Sequence, residues 1–182
     1  GMANLKWKFH DLALKCLDLR SYNSIKKKIE GSSKSNKKIL DSTIAPVKKE
    51  LDSYKIHSEI SGRYKSISSI NRKIQLRGKK FDEIYDLYAI RIVVDKIEEC
   101  YLALGVIHSI YPPVQDRFKD FIATPKTNGY QSIHTTVMTK DNRLTEVQIR
   151  TKEMDYTAEV GVAAHWLYKG SSEMDSFDEQ VP

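Results

Sequence analysis

Apolar residues recur at helical spacing through the first half of the chain. A spacing of three or four between apolar side chains places them on one face of a helix. Four helices are predicted in this way, carried by Leu5, Phe9, Leu12, Ala13 and Cys16, by a stretch from about residue 21, by Ile39, Ile44, Val47 and Leu51, and by Ile67, Ile70 and Ile74. The segment 31–36, which holds three Ser with one Gly and one Asn, predicts a flexible break before the third helix.

The rest of the chain alternates between strand-like and helix-like patterns. Strands are expected at 56–62, at the apolar run 87–94, and at about 131–139 and 144–151, the last two joined by a turn at 140–143. Helices are expected over 97–111, ended by Pro112 and Pro113, and from about 152 to 168. This order after a helical lead predicts an α+β fold, with a mixed β-sheet flanked by helices.

Composition places the chain among globular proteins. It has 182 residues, of which 40% are hydrophobic and 30% charged, and a chain of this length buries a sizeable core. No apolar stretch approaches the roughly 20 residues of a membrane-spanning helix, so no membrane partner is expected. Cys16 and Cys100 are isolated thiols, for which a reduced cytoplasmic setting is the default.

Charge is divided unevenly along the chain. The net charge is +6, but residues 1–80 hold 20 Lys and Arg against 7 Asp and Glu, whereas residues 81–182 hold 10 against 17. A basic first half favours an anionic partner, either nucleic acid or phosphates. The alternative is a set of solvated helix faces, and charge alone does not decide between them.

One basic segment coincides with a predicted strand-to-helix boundary. Gly62-Arg63-Tyr64-Lys65 lies where backbone N–H groups at a helix start favour phosphate, and Arg72 and Lys73 add cations to the same helix. Alone, a pattern of strand, glycine, basic residue and helix is a weak signal.

The most apolar predicted strand carries two charged residues. Asp86 stands at its start and Arg91 lies inside it, and burying an unpaired charge is costly. The two form either an ion pair at a sheet end or a site, in which Asp86 binds a divalent metal and Arg91 contacts a base or a phosphate. Residues five apart in a regular strand lie on opposite faces, so a shared site requires an irregularity or Asp86 before the strand.

The last predicted strand alternates cleanly. Glu146, Gln148 and Arg150 face one way, and Val147 and Ile149 face the other. Such a polar face ordinarily meets solvent. If it lines a cleft instead, Glu146 could act as a base or share a metal ion.

A loop-like region, together with the predicted strand 131–139 that follows it, holds further basic residues and two rings. Arg117, Lys119 and Lys126 supply charge, Tyr130 could stack on a purine ring, and His134 could touch a phosphate or sugar. The alternative is a polar hairpin in which His134 is a satisfied structural residue.

Together these segments resemble the synthetase domain of the RelA/SpoT family. The motifs occur in the order and spacing of the family over about residues 55–169, and they are Gly62-Arg63-Tyr64-Lys65 with Arg72-Lys73, Tyr85 to Arg91, Arg117 to Asp120, Lys126 to His134, Glu146 to Arg150 and Ala163 to Trp166. The resemblance implies a nucleotidyltransferase-like fold. It also implies transfer of the β,γ-pyrophosphate of ATP to the ribose 3′-hydroxyl of GDP or GTP, which releases AMP and makes (p)ppGpp.

The resemblance implies a role for each motif residue. Glu146 and Asp86 would be catalytic and would bind Mg²⁺, with Glu146 activating the 3′-hydroxyl. ATP would be bound by Arg63, Lys65, Arg72, Lys73 and Arg91, of which the first and last enclose the adenine ring. The guanine nucleotide would be bound by Arg117, Lys119, Lys126, Asn128, Tyr130, His134 and Gln148.

The resemblance also divides the chain. Residues 1–54 would be a helical lead or linker, 55–169 the synthetase domain, and 170–182 a disordered acidic tail. No hydrolase site is expected in this chain, which would be excised from a long bifunctional protein regulated by the ribosome and by further domains. Two alternatives are a catalytically silent nucleotide-binding domain and a basic RNA-binding module; the basic half has few aromatic residues, so no direct nucleic-acid binding is expected.

Overall fold

Six α-helices flank a five-stranded mixed β-sheet within residues 2–31, 33–77 and 88–160, the residues that this computed structural model describes. The helices are α1 (Met2–Leu17), α2 (Leu19–Gly31), α3 (Ser33–Ser53), α4 (Ile67–Arg77), α5 (Ile97–Ile110) and α6 (Lys152–Val160). The strands are β1 (Ser58–Tyr64), β2 (Tyr88–Val94), β3 (Lys119–Asp120), β4 (Ile133–Met138) and β5 (Leu144–Thr151). The predicted α+β fold is confirmed.

The strands lie in the order β1-β2-β5-β4-β3. Only the pairing of β2 with β5 is parallel among the described strands, and the other three pairings are antiparallel. The chain therefore leaves β2 through α5, builds the β3–β4 edge and returns through a hairpin to place β5 in the centre. This return brings Arg91 of β2 beside Gln148 of β5.

One face of the sheet forms the main hydrophobic core. Ile92, Val147 and Ile149 are fully buried there, and side chains of α3 and α5 cover them: Leu40, Val47, Leu51, Cys100, Ala103, Val106 and Ile107. The third helix, which the sequence assigns to the lead, thus shares its core with the sheet. Burial raises the pKa of the Cys100 thiol to about 12, as for a thiol packed as a small apolar group.

A smaller core joins the first helices to α4. Ile25 of α2 and Ile70 of α4 are buried against each other, with three further isoleucines around them. From α1, Asp11 Oδ1 accepts a hydrogen bond of 2.8 Å from the backbone N–H of Ser68, in the first turn of α4. A side-chain carboxylate therefore already occupies one of the helix-start N–H groups that the sequence predicts as a phosphate-binding position.

Local chemistry explains where several elements begin and turn. Glu99 Oε2 accepts the backbone N–H of Lys96 at 3.0 Å and starts α5, while Asp18 Oδ1 accepts that of Ser21 at 3.0 Å and starts α2. Asn142 adopts a left-handed φ of 58° in the predicted β4–β5 turn. Asn tolerates this conformation better than most residues, so the turn fits its sequence.

Three expectations about the elements are wrong in detail. The break at 31–36 does not extend past residue 32, because α3 begins at Ser33; packing of its apolar face stabilises a helix whose first turn is polar. Strand β1 continues beyond Gly62 to Tyr64, where it still pairs with β2. The segment 119–120, expected as loop, forms the edge strand β3.

Other expectations lie outside the described residues. These are the course of the last helix beyond residue 160, the acidic tail, and the placement of Asp86. Among the described helices, none combines the length and the apolarity that crossing a bilayer requires.

Because β5 lies in the centre of the sheet, truncating a side chain on its core face should strongly lower the free energy of unfolding. Ile149→Ala should lower the free energy of unfolding by about 2–5 kcal/mol, because the residue is fully buried and leaves a cavity. Urea unfolding followed by circular dichroism measures this loss. The matched control is Leu102→Ala on the exposed face of α5, 56% exposed, with an expected change below about 0.5 kcal/mol. Equal losses in the two variants would contradict the assignment of the core face.

Candidate active site

The candidate site lies on the sheet face opposite the main core. Four strands carry polar residues at one level of the register, where Arg91 pairs with Gln148, Gln148 with His134, and His134 with Lys119. Glu146 lies two residues before Gln148 and therefore on the same face. The alternation predicted for β5 is thus confirmed, and its polar face carries Glu146 and Gln148.

Glu146 is held by two donors. Lys65 Nζ lies 2.8 Å from Glu146 Oε2, and Gln148 Nε2 donates to Glu146 Oε1 at 2.9 Å. Burial raises the pKa of Glu146, but the charge and hydrogen bond of Lys65 and the amide of Gln148 outweigh it, so the pKa lies below its ordinary 4.5. The carboxylate is therefore ionised at neutral pH.

His134 lies on the other side of this carboxylate and is uncharged at neutral pH. Burial lowers its pKa to about 4, and the positive charges of Lys126, Arg150 and Lys119 act in the same direction against the opposing effect of Glu146. Its Nδ1 lies 3.7 Å from Glu146 Oε1.

A cluster of rings surrounds His134. The Tyr130 hydroxyl is 2.8 Å from His134 Nε2, and Phe121 meets both rings edge-on, with centroids 6.2 and 5.3 Å away. Lys126 Nζ lies 4.5 Å from the Phe121 centroid and 5.3 Å from that of Tyr130. Sequence reasoning missed Phe121; its signal was an aromatic residue among the basic residues of one loop.

A tight turn brings Lys126 to Tyr130. Gly129 adopts a left-handed φ of 72°, its N–H donates to Lys126 O at 2.8 Å, and the N–H of Lys126 donates to Tyr130 O at 3.2 Å. Asn128 Oδ1 accepts the N–H of Tyr130 at 3.2 Å. Asn128 therefore shapes the turn, and its predicted contact with a nucleotide stays a prediction.

A second charged cluster adjoins the site at β2. Arg91 Nη1 lies 3.1 Å from both Asp155 Oδ1 and Glu159 Oε1 of α6, and Arg150 Nε lies 2.8 Å from Asp155 Oδ1. Arg150 is only 2% exposed, and burial followed by the charge of Arg91 lowers its pKa. The sequence analysis assigned nothing to Asp155 and Glu159, although a buried strand arginine requires such carboxylates.

The remaining predicted residues lie around this centre or outside it. The backbone of Arg63 pairs with Ala89, which pairs in turn with Glu146. Arg72 on α4 and Arg117 in a 3₁₀ turn (Gln115–Arg117) are exposed and stand apart from the hydrogen bonds around Glu146. Lys73 lies half-buried on α4, next to Arg72 in the chain.

The residues present fit a magnesium ion in part. Glu146 offers an ionised carboxylate, the oxygen ligand that Mg²⁺ prefers. Within the described ranges there is no group of three or more His, Cys, Asp or Glu side chains that could hold a metal by itself. The second predicted ligand, Asp86, lies outside those ranges.

The fold matches that of a class of solved proteins. The chain superposes on the crystal structure of small alarmone synthetase 2 from Bacillus subtilis with a TM-score of 0.56 and 27% identity, covering 82% of this chain and 79% of that one. The nucleotidyltransferase-like architecture implied by the motifs is therefore that of the alarmone synthetases.

The family follows from the sequence comparisons. The profile described as a region found in RelA/SpoT proteins matches residues 62–173, and the chain belongs to this family. A Spiroplasma citri protein named guanosine-3′,5′-bis(diphosphate) 3′-pyrophosphohydrolase is 44% identical over 99% of this chain and 24% of its own length. The bifunctional (p)ppGpp synthase/hydrolase RelA of Mycobacterium tuberculosis is 43% identical over 93% and 23%. The chain thus spans about a quarter of the length of these curated relatives.

The depressed pKa of His134 predicts a specific acid sensitivity. Because the folded pKa of about 4 lies below the ordinary 6.5, the stability that neutral His134 contributes is complete above pH 6.5 and is lost as the pH falls towards 4. From pH 7 to pH 5 the protein should lose roughly 1–2 kcal/mol of unfolding free energy that His134→Gln does not lose. Urea unfolding at the two pH values measures the difference, and identical losses in both proteins would contradict a buried neutral imidazole.

Proposed function

We propose that this chain is a (p)ppGpp synthetase domain that transfers the β,γ-pyrophosphate of ATP to the ribose 3′-hydroxyl of GDP or GTP and releases AMP. The observation that carries the proposal is the ionised carboxylate of Glu146, held by Lys65 and Gln148 in a RelA/SpoT-family fold. Relatives named for synthesis and hydrolysis of such nucleotides support the substrate class. Regulation of the whole protein by the ribosome stays a prediction.

Glu146 would act as the general base. The 3′-hydroxyl gives its proton to the carboxylate, its oxygen bonds to the β-phosphorus of ATP, and the bond from that phosphorus to the α,β-bridging oxygen breaks. The electron pair leaves with AMP. Transfer of this kind depends on positioning and charge neutralisation rather than on a covalent enzyme intermediate, and the site offers cations and a base.

Lys65 would make the basicity of Glu146 depend on whether ATP is bound. Its ammonium now lowers the pKa of Glu146, and a weakly basic carboxylate is a poor proton acceptor. When Lys65 donates to the ATP phosphates instead, that lowering is relieved and the pKa of Glu146 rises. Glu146 would therefore become a stronger base once the donor is bound.

The metal ion would be held by Asp86 and Glu146. When bound, Mg²⁺ supplies neutralisation of the phosphate charge that develops during transfer. The exposed and half-buried cations Arg72 and Lys73 on α4 would bind the phosphates from the side of β1.

The ring cluster would receive the guanine nucleotide. Tyr130 offers a face for stacking, with Lys126 Nζ 5.3 Å from its centroid. Because His134 is neutral, it would contact ribose or phosphate through a hydrogen bond rather than through charge. Arg117, Lys119 and Asn128 would contact the same nucleotide from the surrounding loop, and Gln148 keeps the base carboxylate directed at it.

Removing the base tests the reaction. Glu146→Gln should lower AMP and (p)ppGpp formation from ATP, GTP and Mg²⁺ by at least about 100-fold, because the amide cannot accept the proton. Nucleotide chromatography measures both products. Glu153→Gln, the same change on α6, is the control and should keep full turnover; full turnover in Glu146→Gln would remove Glu146 from the mechanism.

The assay also separates the alternatives. Nucleotide binding by the unsubstituted protein without AMP formation would indicate a catalytically silent domain. Salt-sensitive binding of RNA in place of nucleotides would indicate the RNA-binding module.

Removing the stacking ring tests the acceptor site. Tyr130→Ala should raise the KM for GTP by about 5-fold to 100-fold, the size of a lost base–aromatic contact, with little change in the KM for ATP. Steady-state kinetics with each substrate varied in turn measures the split. Tyr54→Ala, at a tyrosine 62% exposed after α3, should change neither value. Equal effects of Tyr130→Ala on both substrates would show that the ring lies elsewhere in the site.

A further inference from the structure

Helix α6 directs two carboxylates at one guanidinium of the site face. Asp155 and Glu159 are four residues apart and therefore share one side of the helix. Both reach Arg91 Nη1 at 3.1 Å. Asp155 also contacts Arg150 Nε at 2.8 Å, so the buried arginine and the site arginine share a carboxylate.

The charges of this cluster cancel. Two arginines face two carboxylates, and the side chain of Arg91 is only 19% exposed. A phosphate group beside Arg91 would lie next to Asp155 and Glu159, where like charges repel. An uncharged nucleobase incurs no such repulsion.

One hydrogen bond of Arg91 fixes its guanidinium without covering it. Nη1 donates to Glu159 Oε1 at 3.1 Å, and a hydrogen bond in the plane of the group leaves uncovered the faces by which arginine stacks on bases. Asp155 Oδ1 forms an ion pair with Nη1 but no hydrogen bond. Among the described residues, the buried Nε of Arg91 has no hydrogen-bond partner. The carboxylates therefore fix one end of the group only.

We propose that Asp155 and Glu159 are positioning residues that hold Arg91 for stacking on the nucleobase of the donor and withhold it from the phosphates. The family resemblance already implies that Arg91 stacks on the adenine ring, and what is new is that Asp155 and Glu159 hold it there. The inference rests on the proposed function in that the donor nucleotide is ATP.

The test compares ATP with inorganic tripolyphosphate, which has the phosphates but no base. Titration calorimetry on Glu159→Gln should show ATP binding weakened by roughly 5-fold to 30-fold, the size expected for a misplaced cation–π contact. Tripolyphosphate binding should be unchanged or tighter. Glu153→Gln on the same helix is the matched control and should leave both affinities unchanged. Asp155→Asn should repeat the selective loss of ATP affinity, with urea unfolding measured alongside because Asp155 also pairs with buried Arg150.

Other outcomes separate this inference from the proposed function. An equal change for ATP and tripolyphosphate, or no change for either, would overturn the inference. Tighter ATP binding in Glu159→Gln would also overturn it, because the carboxylate would then be competing with the nucleotide. ATP binding by the unsubstituted protein without AMP formation contradicts only the proposed function, since the ratio of the two affinities still reports on Arg91.

Discussion

The parallel pairing of β2 with β5 is the constraint on which the site depends. Because side chains alternate along each strand, burial of Ile92, Val147 and Ile149 on one face leaves Arg91, Glu146 and Gln148 together on the other. A shift of one residue in this pairing would drive charged groups into the core and expose isoleucines. The same hydrophobic burial that stabilises the fold thus places the carboxylate of Glu146 beside Arg91 and Gln148.

On the polar face of the sheet, charges are compensated separately around Glu146 and around Arg91. Around Glu146 the ammonium of Lys65 compensates the carboxylate, while His134 stays neutral because burial and neighbouring cations disfavour its charged form. Around Arg91 the compensation comes from α6. In the proposed reaction the first region would accept the proton and contact the phosphates. In the second region the charges of the arginines and carboxylates cancel, which suits recognition of an uncharged ring.

Local sequence patterns were enough to predict most of this architecture. They fail where an element or contact depends on residues distant in the chain. Strand β2 follows from a continuous apolar run, helix α5 from its periodicity and a proline stop, and β5 with its polar face from alternation. The two-residue strand β3 is too short to show a period, and its pairing depends on β4. The contact of Arg91 with Glu159 spans 68 residues of sequence, and no local pattern encodes a partner that distant. Phe121 escaped notice because packing against Tyr130 gives its position meaning, and sequence shows no such packing.

The hydrogen bond from Ser68 to Asp11 joins residues 57 apart in the chain and ties the first helix to the first turn of α4. Lys65 lies three residues before that amide, so one short segment carries both the contact with α1 and the ion pair with Glu146. The first helix, which is no part of the sheet, is thereby fixed to the segment that supplies one partner of Glu146.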